Sequence, residues 1–133
     1  MKKIFLLLPH KEQFSKKKSG SASIWARDFI KISSFKNVLA VYGSNVKKKD
    51  VSIRKVYKNI DIKVSKYQSK TKSYLENFKK AISKNQPKII EIHNRPNYLL
   101  DIHKNFKKIY YILVIHNDPL HLKGSITVSE RVN

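Results

Sequence analysis

Two apolar runs that each end in a histidine constrain the fold of this chain more than any other feature. Residues 88–92 (KIIEI) lead into His93, and residues 109–115 (IYYILVI) lead into His116. A segment of helical pattern, residues 96–106, separates the two runs. A strand, a helix and a second strand in this order indicate a right-handed crossover between parallel strands. We therefore expect both histidines at the carboxyl edge of one parallel sheet, where open sheets of this kind bind ligands.

The remaining hydrophobic pattern extends this unit to an alternation of strands and helices. Strands are predicted over residues 3–8 and 37–42, with one or two edge strands within residues 51–64. Helical periodicity follows Gly20 and again covers residues 69–84. The element order predicts an α/β fold with a Rossmann-like, mainly parallel sheet flanked by helices. At 133 residues the chain is one domain with enough material for a core.

The formal net charge of +20 requires an explanation. The chain has 25 lysines and only 4 arginines, together with 16 isoleucines and 10 asparagines. Lysine, isoleucine and asparagine share AT-rich codons, so codon bias is the first explanation. Attraction to an anionic membrane surface or an anionic acceptor is the second. Specific nucleic-acid binding is the third, because base-reading surfaces favour arginine.

Composition also limits the compartment and the cofactors. The absence of cysteine excludes disulfides and thiolate metal sites. The N-terminal apolar run is short and is interrupted at Pro9, unlike a signal peptide, and no stretch approaches the roughly 20 apolar residues of a membrane span. We expect a cytoplasmic protein, with peripheral contact at the inner face of the membrane as an alternative. No H-x-x-x-H spacing is present, so no metal or other cofactor is predicted.

Polar residues after the last two strands are the candidates for a functional site. His116 can orient a hydroxyl, act as a base or donate to a developing charge, or it can simply cap the strand end. His93 has the same position on the neighbouring strand. Asn94 is expected to serve the following helix, because a proline suited to the first helical turn comes two residues later. Asn117 and Asp118 are ordinary turn residues unless His116 is functional.

A second group of candidates follows the first strand. Gly20 lies between serines at the start of a predicted helix, where backbone N–H groups and the helix dipole favour an anion such as a phosphate. Either Ser19 or Ser21 is a candidate cap for that helix. The other polar or aromatic residues of interest are expected in non-functional places, at the surface for His10, His103 and His121 and in the core for Trp25.

Two segments carry a resemblance to a known family. PKIIEIHNRP (residues 87–96) resembles the segment P-D-[IV]-[IV]-x-[IV]-H-N-R-P of family 4 glycosyltransferases, and HNDPLHLKGS (residues 116–125) resembles their H-N-D-P-x-x-[ML]-[RK]-G-[SA] stretch. The similarity is greatest to transferases that build lipopolysaccharide or other surface polysaccharides. It implies a GT-B fold, in which an N-terminal Rossmann-like domain mostly recognises the acceptor and a C-terminal one holds most of the nucleotide-sugar site.

The resemblance also implies an activity and roles for particular residues. The activity is hexosyl transfer from a nucleotide sugar to a glycan or lipid-linked acceptor, without a metal. His116 matches the active-site histidine after the fifth strand. The usual double glycine near the donor phosphates is reduced to Gly20 between serines. The substrate-binding positions fall on six residues: Gly20, Ser21, His93, Asn94, Asn117 and Asp118.

The resemblance runs through residues 1–131 in element order and reaches no donor domain. We therefore expect an acceptor-side domain over residues 1–133 that is incomplete at its C-terminus and inactive alone, so sugar transfer by the purified chain would contradict this expectation. Two alternatives stay open. A small basic nucleic-acid-binding protein would show steeply salt-dependent binding. A non-catalytic partner subunit of a split transferase would co-purify with a separate donor domain.

Overall fold

The computed structural model describes residues 2–12, 20–44, 56–60 and 66–116. In these ranges, strands and helices alternate in an order that confirms the predicted α/β, Rossmann-like class. Of the edge strands predicted within residues 51–64, one is described, and residues 51–55 and 61–64 lie outside the described part. The elements are β1 (Ile4–Leu7), α1 (Ser21–Ile32), β2 (Leu39–Gly43), β3 (Tyr57–Asn59), α2 (Lys70–Asn85), β4 (Ile89–His93), α3 (Pro96–Asn105) and β5 (Tyr110–Val114).

The five described strands form one parallel sheet in the order β3-β2-β1-β4-β5. From β1 the chain winds towards one edge through β2 and β3, and from β4 it winds towards the other edge through β5. The winding direction therefore reverses between β1 and β4. Such a switch point leaves a crevice at the carboxyl ends of the two strands, and the loops that follow β1 and β4 flank it.

The core has two layers because β1 is buried on both of its faces. Phe5 and Leu7 pack with side chains of α2 and α3, whereas Leu6 and Leu8 pack with those of α1. This two-sided burial explains the continuous apolar run in the sequence. The sheet register pairs Leu6, which faces α1, with Glu91, so Glu91 lies on the α1 face of the sheet. His93, two positions later in β4, lies on the same face.

Helix α2 begins and ends within one residue of the predicted segment, residues 69–84. Ser69 is the N-cap and its hydroxyl accepts a hydrogen bond from the backbone N–H of Lys72. Gln86 ends the helix in the left-handed region with a φ of 47°. Across the described ranges, none of the helices is long and apolar enough to cross a membrane.

Candidate functional site

His93 and His116 meet at the carboxyl edge of the sheet, where the sequence predicts them. Nδ1 of His93 lies 2.8 Å from Nε2 of His116, and the two rings stack with centroids 5.1 Å apart. His93 is fully buried at the end of β4, whereas His116 is partly exposed. The parallel register places Val114 beside His93, so the chain after β5 reaches the end of β4 within two residues.

A carboxylate extends this pair into a hydrogen-bonded chain. Oε1 of Glu91 lies 2.6 Å from Nε2 of His93. An ionised carboxylate only accepts, so Nε2 of His93 is protonated, and in the neutral form of His93 its Nδ1 accepts the N–H of His116. The hydrogen-bond network thus assigns both tautomers and leaves a lone pair on Nδ1 of His116. We call Glu91, His93 and His116 the histidine relay; no described residue hydrogen-bonds to that last nitrogen.

Asn94 fixes the backbone of His116 rather than starting α3. Its Oδ1 accepts the backbone N–H of His116 at 2.8 Å, and its own N–H donates to the carbonyl of Val114 at 2.8 Å. The residue has a φ of 54°, a left-handed conformation that asparagine tolerates, and is only 4% exposed. Because this turn directs the side chain towards β5, Arg95 becomes the N-cap of α3. The prediction that Asn94 serves that helix is therefore wrong.

A second polar group lies beside the crevice, in the loop after β1. His10, which the sequence places at the surface, is 9% exposed, so that prediction is wrong. Its Nδ1 lies 2.8 Å from the phenolic oxygen of Tyr98, and its carbonyl accepts the hydroxyl of Ser44. Arg95, which begins the helix that carries Tyr98, donates from its Nη1 to the carbonyl of Asn94 at 2.8 Å. These contacts connect the loops after β1, β2 and β4 to α3.

Two histidines at the carboxyl edge of the sheet, His10 and His116, are weaker bases than a free imidazole. Burial and three neighbouring cations lower the pKa of His10 from 6.5. Burial and, secondly, His93 lower the pKa of His116, against the opposing charges of Glu12 and Glu91. Both rings are therefore neutral at pH 7, and Nδ1 of His116 is available as a proton acceptor.

No family model, curated protein or solved structure matches this chain. The chemistry of the candidate site is therefore inferred from the residues at the carboxyl edge of the sheet. Within the described ranges, no group of three or more histidine, cysteine or acidic side chains is arranged to hold a metal ion. His103 is exposed on α3, as predicted, and Asn117, Asp118 and His121 lie outside the described residues.

Trp25 has two roles, of which the sequence predicts only the core one. Its indole stacks on Phe29 with centroids 4.8 Å apart and packs against the apolar cluster beneath α1. The same indole lies 4.8 Å from the ring of His93 and 6.2 Å from that of His116. Trp25 therefore forms an apolar wall of the histidine relay, and exclusion of water there strengthens the hydrogen bonds of the relay.

The start of α1 differs from the phosphate-binding turn that was expected. Gly20 itself is the N-cap, so the prediction of a serine cap is wrong, and Ser21 is exposed at the first helical position. The carboxylate of Glu12 accepts both the N–H and the hydroxyl of Ser23, each at 3.0 Å. A Cβ at Gly20 would lie 2.5 Å from the carboxyl carbon of Glu12. The close approach that glycine permits therefore accommodates a carboxylate of the chain itself.

We expect the free energy of unfolding to decrease as the pH falls from about 7.5 to about 5. Histidines of an unfolded chain bind protons near pH 6.5, whereas folded His10 and His116 bind them only at lower pH, so protonation favours unfolding. Urea denaturation at the two pH values measures this change. His10→Gln should reduce the pH dependence, and His103→Gln, which removes an exposed imidazole, should preserve it. Equal pH dependence in both variants would contradict the prediction.

Proposed function

We propose that this chain is the acceptor-side domain of a glycosyltransferase. The reaction is hexosyl transfer from a nucleotide sugar to a glycan or lipid-linked acceptor, in the synthesis of lipopolysaccharide or another surface polysaccharide. The observation that carries the proposal is the histidine relay, which presents an unprotonated nitrogen of His116 at the switch point of a parallel sheet. The resemblance of residues 87–96 and 116–125 to family 4 glycosyltransferases supports the same assignment.

The relay suits the proton transfer that glycosyl transfer requires. The acceptor hydroxyl oxygen bonds to the anomeric carbon as the bond from that carbon to the leaving phosphate breaks. The hydroxyl proton moves to Nδ1 of His116, which becomes an imidazolium. His93 accepts a hydrogen bond from this imidazolium, and Glu91 holds His93 in the required tautomer. The proton leaves His116 when the product departs.

The start of α1 supports recognition of the acceptor rather than the nucleotide. A helix N-terminus behind a glycine-rich turn usually binds a phosphate. In this chain the equivalent position holds the Glu12 carboxylate, and a second anion there would meet like charge. The sequence also lacks G-x-G-x-x-G. A nucleotide-binding domain must therefore supply the donor, as the family resemblance implies.

Protein-observed NMR of the histidine ring signals of the full 133-residue chain tests this proposal with two panels. One panel contains oligosaccharides and glycolipid headgroups, and the other contains nucleotide sugars. We expect the first panel to perturb the ring signals of His93 and His116, and His116→Gln to weaken that response while His103→Gln preserves it. The proposal would be contradicted if nucleotide sugars perturb the ring signals of His93 and His116 and glycans do not. Oligonucleotide binding that persists at physiological salt would favour the nucleic-acid alternative.

A further inference from the structure

Three positively charged residues lie close to His10, in the loop that flanks the crevice beside the histidine relay. Nδ1 of His10 lies 2.8 Å from the hydroxyl of Tyr98, three residues after Arg95, and the His10 ring centroid lies 5.9 Å from that of Tyr74, four residues after Lys70. The three positively charged residues come from three segments: Lys11 follows β1, Arg95 follows β4 and Lys70 begins α2. All three positive charges act on the His10 imidazole. Among the described residues, none of the three forms an ion pair with a carboxylate. We call His10, Lys11, Lys70 and Arg95 the cationic cluster.

Arg95 is held in place before any ligand arrives. Its Nη1 donates to the carbonyl of Asn94, and it is the N-cap residue of α3, whose Tyr98 contacts His10. A guanidinium has five N–H donors, so further donors remain for a ligand. A side chain that is already ordered loses less conformational entropy on binding.

The acidic side chain of the same loop forms no ion pair with the described members of the cluster. Glu12 is in the same loop as His10, but its carboxylate accepts two hydrogen bonds from Ser23 on the α1 side. The cluster therefore holds three positive charges without a counter-charge among the described residues, and such an arrangement favours an anion. The lowered pKa of His10 is consistent with this unbalanced positive field.

We propose that the cationic cluster binds a phosphate group carried by the acceptor. This proposal rests on the proposed function and names its substrate class. Phosphate oxygens match the bidentate geometry of Arg95, while Lys11 and Lys70 supply point charges. Asn94 joins the cluster to the histidine relay, because its carbonyl accepts from Arg95 and its side chain holds His116. One acceptor molecule then places its phosphate at the cluster and its hydroxyl at the relay.

Phosphate-containing probes and two lysine variants test the proposal on the full chain. The probes are glucose 1-phosphate, a short-chain prenyl phosphate and UDP, added at physiological salt to suppress diffuse attraction. NMR should show a saturable shift of the His10 ring and a rise in its pKa, because a bound anion favours the imidazolium. Lys70→Gln should weaken binding about fivefold. Lys72→Gln, two residues along in the same helical turn, should change it less than about twofold.

The outcomes separate the sources of the phosphate and the competing explanations. A response to glucose 1-phosphate supports a soluble phosphorylated sugar, and a response to the prenyl phosphate alone supports a lipid-linked acceptor. The proposal is overturned if neither probe shifts the His10 ring, if both lysine variants lose binding equally, or if UDP binds the cluster in preference to both. If a phosphate probe binds at the cluster but no glycan perturbs the His116 ring, the proposed function is contradicted while phosphate binding at the cluster stands.

Discussion

Replacing His116 by alanine is expected to lower the rate of sugar transfer by about 10²–10⁴-fold when the chain is assayed with a nucleotide-sugar-binding domain. The variant removes the only relay nitrogen without a partner among the described residues, which is the base that the proposed function assigns to the acceptor hydroxyl. The fold should change little, because the ring is partly exposed and Asn94 contacts only the backbone of residue 116. Initial rates at saturating donor, together with urea denaturation, measure both effects.

Glu91→Gln distinguishes a positioning role from a structural one. The charge of Glu91 opposes the lowering of the His116 pKa, so a neutral amide should lower this pKa further. NMR titration of the His116 ring measures the shift, and a merely structural glutamate would leave it unchanged. The transfer rate should fall less than in His116→Ala, since the accepting nitrogen remains. A rate loss below tenfold in His116→Ala would contradict the base role of this residue.

The fold could be predicted because most of its strands are buried on two faces. β1 carries a continuous apolar run and β4 one that only Glu91 interrupts before His93, and parallel pairing leaves few ways to connect them. β3 is only three residues long and lies at the edge of the sheet, where burial does not impose a periodic pattern. Its bounds could not be read from the sequence for this reason.

The candidate site could be predicted only in part, because its contacts join residues that are distant in sequence. Ligands bind at the carboxyl ends of the strands in a parallel sheet, and this rule identifies His93 and His116. Glu91 carried a signal that was missed: a charged residue within an apolar run, two positions before His93 and so on the same face of the strand. The contact between His10 and Tyr98 spans 88 positions and depends on how α3 packs, so no local pattern indicates it.

Phe78→Ala is expected to lower the free energy of unfolding by about 3–5 kcal/mol. Phe78 is fully buried on α2, with its ring centroid 5.1 Å from that of Tyr42 and 6.1 Å from that of Phe5. Alanine leaves a cavity between α2 and the two central strands, which cannot collapse because β1 and β2 are fixed by pairing on both sides. Domains of this size are stable by only about 5–15 kcal/mol.

Phe35→Ala provides the matched control, because it removes the same ring from a site that is 57% exposed in the turn after α1. We expect it to change stability by less than about 0.5 kcal/mol. Urea denaturation followed by circular dichroism compares the two variants. Equal losses would mean that α2 does not cover β1 and β2 as described. Since α2 also carries Tyr74, whose hydroxyl donates to the carbonyl of Leu8, such a result would remove the support for the loop that holds His10.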